Sequence, residues 1–201
     1  MDAFYVAVEL LRRPELRGKP VIVATGTDPT ARGVVMTASY EARKFGVHSA
    51  LPLATAHRRC PQAILLPRDM DAYKEKSREV MSILRGYSET VEVVGVDEAY
   101  LDLSGSIVPT ARAQELKTEV RERTKLVCSV GLAENKLLAK IASDLEKPDG
   151  LCTLRAEQML ERVGERSATL IPGVGPKTAE RLGRIGVRTV AELAAADLGT
   201  L

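Results

Sequence analysis

Two adjacent carboxylates, Asp97 and Glu98, stand in the middle of VEVVGVDEAYLDLSG, residues 91–105, whose valines and leucines otherwise read as two buried strands. Removing a carboxylate from water is costly without a compensating positive charge, and two side by side cost more. Consecutive side chains of a regular strand point to opposite faces, so the two acids converge only where the chain turns or bulges. A solvated hairpin turn meets that condition. So does a site for a divalent cation, because carboxylate oxygens suit Mg²⁺, which keeps several waters and is usually completed by substrate phosphates. Two such ions, about 3.5–4 Å apart, activate a 3′-hydroxyl and stabilise a leaving pyrophosphate during in-line displacement. The acidic pair alone does not choose between turn and metal site.

Two further clusters could handle phosphate. Tyr40 and Arg43 are three residues apart in TASYEARKFGV. On a helix they share a face, and both could reach one phosphate, arginine through its planar fork and tyrosine through its hydroxyl. A plain surface pair has the same spacing. IPGVGPKTAERL, residues 171–182, sets Gly173 and Gly175 before Pro176, a favoured first residue of a helix. Free amides at such a start bind phosphate without reading bases. Charge agrees locally, since residues 171–190 carry Lys177, Arg181, Arg184 and Arg188 against Glu180 alone. A glycine-rich turn between packed helices is the structural alternative.

The elements that must hold these residues follow from periodicity. Residues 3–12 read as a helix closed by Pro14, and residues 21–25 and 33–39 as strands joined by a turn-rich loop. Short helices around YEARKFG and PLATAHRR lead to a strand at 63–66. A helix over 69–87 puts Tyr73, Val80, Met81, Leu84 and Tyr87 on one apolar face. After the two strands of the acidic stretch, a helix over 109–126 turns Ala113, Leu116, Val120 and Val127 inward. A strand at 127–133 precedes a helix with Leu137, Leu138, Ile141, Ala142 and Leu145 inward, stopped by Pro148 and Gly150. After a strand at 151–154 only helical segments with glycine punctuation remain, and Thr189 with Glu192 predicts a capping box. The class is therefore α+β with a mainly antiparallel sheet, and a domain boundary near residue 155.

Composition narrows the function. The chain has 201 residues, 45% of them hydrophobic, and a formal net charge of +2, so an argument for nucleic acid must be local. Cys60, Cys128 and Cys152 are far apart, with only His48 and His57 besides, which points to buried thiols in a reducing cytosol rather than a zinc site. No apolar run approaches the roughly 18 residues of a membrane span. The expected setting is cytoplasmic, without a membrane partner.

Five blocks occur in order: MDAFYVAVE at the start, TASYEARKFGV at 37–47, VDEAYLDLS at 96–104, NKLLAKIASDLEKPDG at 135–150 and IPGVGPKTAERL at 171–182. Together they resemble the Y-family translesion DNA polymerases, in the DNA polymerase IV (DinB-like) branch. The resemblance implies a ferredoxin-like palm from 1–10 and 69–154, small fingers at 11–68, and a helix-hairpin-helix thumb from 155 to 201. It implies a monomer that binds primer-template DNA and a dNTP, uses two Mg²⁺ ions, copies damaged template and does not proofread. Asp97 becomes a metal ligand and Glu98 its catalytic neighbour, with the Met1 carbonyl a further metal contact. Tyr5 becomes the steric gate under the nucleotide sugar, where otherwise it reads as a core aromatic of an amphipathic helix. Thr37, Tyr40, Arg43 and Lys147 become ligands of the triphosphate, with the amides of Ala3 and Phe4. Gly173, Val174, Gly175 and Lys177 would grip the duplex backbone.

The family pattern reads VDMDAF, and its first aspartate is a metal ligand. Here the chain opens MDAF, so that position would lie before Met1, and Asp2 matches the second aspartate instead. The DNA-gripping little finger, and the tail by which many members bind a sliding clamp, would lie beyond Leu201. The chain as given is therefore expected to be weakly active or inactive. One rival is a non-catalytic DNA-binding scaffold derived from such a polymerase. A nucleotidyl cyclase, the other, shares paired acids but has no use for a steric gate or a helix-hairpin-helix.

Overall fold

A computed structural model describes residues 1–197 and 199. The chain divides into two compact units, one of Met1–Gly105 with Leu116–Cys128, the other of Ser106–Glu115 and the residues from Ser129 onward.

In the first unit, α1 (Phe4–Arg12) buries Phe4, Val6, Val8 and Glu9. It packs against the helix at Met70–Leu84 and against two strands of a three-stranded sheet, in which the strand at Val21–Ala24 lies between those at Val35–Ala38 and Ile64–Pro67. All four residues of β1 (Val21–Ala24) are buried, because this central strand is covered on both faces, and its VIVA sequence is accordingly apolar without alternation. β2 (Val35–Ala38) runs antiparallel to it and β3 (Ile64–Pro67) parallel. The helices α2 (Tyr40–Arg43) and α3 (Leu53–Arg59) close one core, in which Ile22, Val35, Ala42, Leu53 and Ala56 meet.

The next helix, α4 (Met70–Leu84), is capped by Asp69, whose carboxylate accepts from the Ala72 amide. Its expected face is buried at Tyr73, Val80, Met81 and Leu84. The helix stops at Leu84, so Tyr87 lies beyond it and donates its hydroxyl to Glu119 instead. β4 (Val91–Val93) and β5 (Ala99–Leu101) form an antiparallel hairpin. The following helix, α5 (Pro109–Thr124), is shared between the units and buries Ala113, Leu116 and Val120, while Val127 falls past its end. Lys117 is buried as well, and its ammonium donates to the Cys128 carbonyl at 2.7 Å.

In the second unit, β6 (Val130–Leu132) and β7 (Leu151–Thr153) pair in parallel and are linked by α6 (Lys136–Leu145). Asn135 caps that helix by accepting from the Leu138 amide. Leu138, Ile141 and Ala142 meet Cys152 and Leu154 in its core. Leu137 corrects the sequence expectation: it is exposed, because at about 100° per residue it sits a quarter turn from the centre of that face. A Cβ on Gly131 would run into the Ala139 carbonyl and the Ser143 amide, so α6 lies directly on β6 only because this residue has no side chain. The remaining helices are α7 (Met159–Val163), α8 (Pro176–Arg184) and α9 (Val190–Ala195); residues 164–175, with a 3-10 turn at Ala168–Leu170, join the first two and residues 185–189 the last two. The capping box at the start of α9 forms as expected, with the Glu192 amide donating to Thr189 and the Thr189 and Arg188 amides donating back to Glu192. Those backbone donors hold the Glu192 carboxyl below its usual range.

The α+β class stands, and strand direction is mixed: β1/β2 and β4/β5 are antiparallel, β1/β3 and β6/β7 parallel. Residue periodicity marks strands but carries no information on direction. The three cysteines are buried thiols, as anticipated. Among the described residues no helix is long and apolar enough to cross a membrane.

Candidate functional site

The acids occupy a loop, not a strand. β4 ends at Val93 and β5 begins at Ala99, leaving residues 94–98 to reverse the chain, with the Val94 and Gly95 amides both donating to the Glu98 carbonyl. That closure removes the alternation of a regular strand, which is the departure the adjacent acids require. Asp97 is half-buried and Glu98 exposed. The chain start is tied to this loop, since the Met1 nitrogen donates to the Asp97 carbonyl at 2.7 Å. Asp2 is buried, and its amide donates to the Val127 carbonyl.

From there the backbone enters α1 through Ala3, a left-handed residue at φ 45°, with no side chain capping the helix. The amides of the first turn therefore have no intrahelical acceptor and no side-chain cap. One turn in, Tyr5 is half-buried, and burial followed by the nearby Asp97 carboxylate pushes its phenol above the ordinary tyrosine range. The Tyr5 ring stacks on Tyr73 of α4, with centroids 4.5 Å apart and planes at 24°. So Tyr5, Asp97 and Met1, far apart in sequence, meet in one place.

Tyr40 and Arg43 do share a face, with the guanidinium 4.7 Å over the tyrosine ring. Arg43 also donates its Nε to the Ala38 carbonyl, which anchors the side chain to the end of β2. The N-cap Ser39, not anticipated from sequence, accepts from the Ala42 and Val21 amides and so ties α2 to β1. Thr37 is buried in β2. In the second unit, Lys147 lies beyond the end of α6, and its ammonium pairs with Asp144 at 2.6 Å.

The glycine turn is built from backbone. Gly173 has φ +94°, a conformation that side-chain-bearing residues rarely take. The Val174 amide donates to Ile171 and the Gly175 amide to Gly173, so both are used inside the turn. Pro176 opens α8 and lacks an N–H, which leaves the Lys177 and Thr178 amides as the outward donors of the first turn. Space next to Gly173 and Gly175 is open, with nothing within 4 Å of a would-be Cβ. Arg184 is engaged by Glu180 at 2.7 Å, whereas Lys177 and Arg181 stand exposed.

Whether the acid loop suits a metal depends on its donors. Asp97 offers a half-buried carboxylate with no ion pair among the described residues, and Glu98 adjoins it. Such hard oxygens fit a divalent cation whose remaining ligands are phosphate and water. Among the described residues no group of three His, Cys, Asp or Glu side chains gathers to hold a metal. A phosphate-bearing substrate and water would supply further ligands to an ion held there.

What sequence reasoning missed lies behind Tyr5. Glu9 reads as an oddity in a helix of apolar residues, yet it is buried and accepts from the Tyr73 hydroxyl at 2.8 Å. A carboxylate on the inward face of α1 and a tyrosine on that of α4 were the available signals.

Residues 1–144 match the impB/mucB/samB family, and residues 165–201 match the SAM-like helix-hairpin-helix tandem. DNA polymerase IV 2 of Methanosarcina mazei is 47% identical over the whole of this chain, which spans 56% of that protein. DNA polymerase IV of Halorhodospira halophila is 46% identical, again over the whole chain and 57% of its own length. Among solved structures, an insertion ternary complex of Dbh DNA polymerase superposes with a TM-score of 0.86 at 34% identity, covering 98% of this chain and 59% of that one. DinB from Sulfolobus solfataricus gives 0.85, also at 34% identity, over 98% and 58%.

Proposed function

The chain belongs to the impB/mucB/samB family of Y-family DNA polymerases, in the DinB branch, and from that premise we propose that it carries the nucleotide-binding and catalytic part of a translesion DNA polymerase. The reaction is template-directed transfer of a deoxynucleotide to a primer 3′-hydroxyl with release of pyrophosphate. The observation that carries this reading is the meeting of Asp97, the chain start and Tyr5 beside the uncapped amides of α1.

On this reading Asp97 and Glu98 hold divalent magnesium, two ions when substrate is bound, which supply the charge that lowers the barrier to phosphoryl transfer. The Met1 carbonyl adds an oxygen at the same place. The amides of Ala3 and Phe4 receive triphosphate oxygens at the positive end of α1. Arg43 and Tyr40 grip the same phosphates by fork and hydroxyl, with Thr37 beside them. Lys147, which pairs with Asp144 here, would be a further triphosphate ligand by the family resemblance, the second positively charged side chain after Arg43. Tyr5 lies flat under the sugar, where a 2′-hydroxyl would strike its ring. Catalysis is then mostly positioning and charge neutralisation.

The palm would comprise 1–10 and 69–154, the fingers 11–68 and the thumb the residues from 155. The thumb turn, through Gly173, Val174, Gly175 and Lys177, takes a DNA phosphate at a site where no side chain stands in the way. A monomer working on primer-template DNA and a dNTP suffices for this arrangement.

The test is Mg²⁺-dependent extension of a labelled primer by one nucleotide, with Tyr5→Ala alongside. Extension that needs Mg²⁺, with ribonucleotides admitted by the variant, supports the proposal. DNA binding without extension, both for the 201 residues and for the chain lengthened upstream by the family's first strand, would instead support a non-catalytic scaffold.

A further inference from the structure

Tyr5 does not stand alone. Its ring lies on Tyr73, and Tyr73 is fully buried, so the plane of one ring is set by the other. The Tyr73 hydroxyl donates to Glu9 Oε1 at 2.8 Å, and Arg13 Nη1 holds the other oxygen, Oε2, at 2.9 Å. One turn before Tyr73 on α4, the capping Asp69 is gripped by Arg12 at 2.7 Å. The end of α1 and the start of α4 are therefore cross-linked twice, by Arg12 to Asp69 and by Glu9 to Tyr73. A buried aromatic ring fastened only at Cβ can pivot about its side-chain torsions, whereas a ring also fastened at its far end cannot. Placing a charged side chain in an apolar interior is costly unless it is paired and hydrogen-bonded, and Glu9 is both. A leucine and a phenylalanine would fill the same volume without tethering anything.

We propose that Glu9 is a positioning residue for sugar selection: its buried carboxylate fixes the Tyr73 hydroxyl, and the tethered Tyr73 ring holds Tyr5 at the height that excludes a 2′-hydroxyl. The inference rests on the reading of Tyr5 as the gate and extends it inward by two residues. A steric filter acts through tenths of an ångström, so its backing must be rigid. Packing alone supports a ring on average, and the hydrogen bond removes the spread about that average.

The test compares incorporation of matched dCTP and CTP opposite template guanine for the unsubstituted protein and for Tyr5→Ala, Tyr73→Phe and Glu9→Gln. Tyr5→Ala should relax the deoxyribose preference about a hundredfold. Tyr73→Phe, which keeps the stack and removes the tether, should relax it about threefold to tenfold while dCTP incorporation changes little. Glu9→Gln retains an oxygen acceptor for Tyr73 and should stay near the unsubstituted ratio. If Tyr5→Ala relaxes selection but Tyr73→Phe leaves the ratio unchanged, or lowers both nucleotides equally, the gate survives and the tether is overturned. If Tyr5→Ala leaves the ratio unchanged, the gate reading fails and the tether with it. A second readout needs no turnover: the NMR signals of the Tyr5 ring should shift and broaden in Tyr73→Phe, and identical signals would overturn the proposal.

Discussion

The acid loop with its tyrosine gate and the glycine turn before α8 both answer, on our reading, to phosphate, but they are made differently. The first gathers groups from distant parts of the chain: the backbone contact of Met1 with Asp97 spans 96 residues and the Glu9–Tyr73 side-chain bond 64. The second is contiguous, running from Gly173 to Lys177, and offers backbone amides and one exposed ammonium. The first must hold reacting atoms to a fraction of an ångström, so it is backed by burial, stacking and an ion pair on the buried Glu9 carboxylate. The second must slide along a repeating backbone, so open space and uniform charge serve it better than a shaped pocket.

Asp97→Asn should break the comparison most strongly. Primer extension should fall about a thousandfold, roughly 4 kcal/mol in the barrier, with DNA affinity nearly unchanged. Loss of DNA binding in the same variant would mean that the two regions do not divide the work. Next comes the pair Gly173→Ala and Gly175→Ala. At φ +94° an alanine is strained by about 1–2 kcal/mol, so thermal denaturation should show Gly173→Ala destabilised. Gly175, at φ −80°, accepts a Cβ without backbone strain, so its variant should lose only what a poorer N-cap costs, less than Gly173→Ala, while also losing DNA affinity.

Lys177→Ala should act more mildly, weakening binding about equally for all duplex sequences and reducing the slope of log affinity against log salt by about 0.9. A sequence-dependent loss would assign the lysine to base contacts instead. The smallest effect is a pH dependence of the gate's support. Desolvation, reinforced by the bond to Glu9, raises the Tyr73 phenol well above its ordinary value of 10.0. A raised phenol favours the neutral form in the fold, so its contribution is complete below about pH 10 and is lost as pH climbs past the unfolded value. Urea titrations between pH 9 and 11 should therefore show a shallower alkaline decline in Tyr73→Phe, and an equal slope would remove Tyr73 from the titrating set.

Much of this was readable from residue order. The glycine turn needs only Gly173, Gly175 and Pro176 in sequence, and the capping box needs only Thr189 and Glu192, because each is closed by neighbours within a few bonds. Arg43 over Tyr40 follows from helical spacing in the same way. Leu137 and Tyr87 were misplaced for the converse reason: a face drawn from spacing does not say where the helix stops or which edge is covered.

Sequence by itself determined the α+β class, the family and the identity of the acids, since local propensity and contiguous motifs carry all three. Tertiary structure alone decided that the chain start meets Asp97, that Tyr5 leans on Tyr73, and that a buried Glu9 stands behind both rings. The physical reason is that contacts across 64 and 96 residues depend on how helices and strands pack, and packing is a property of the folded whole that no local spacing encodes.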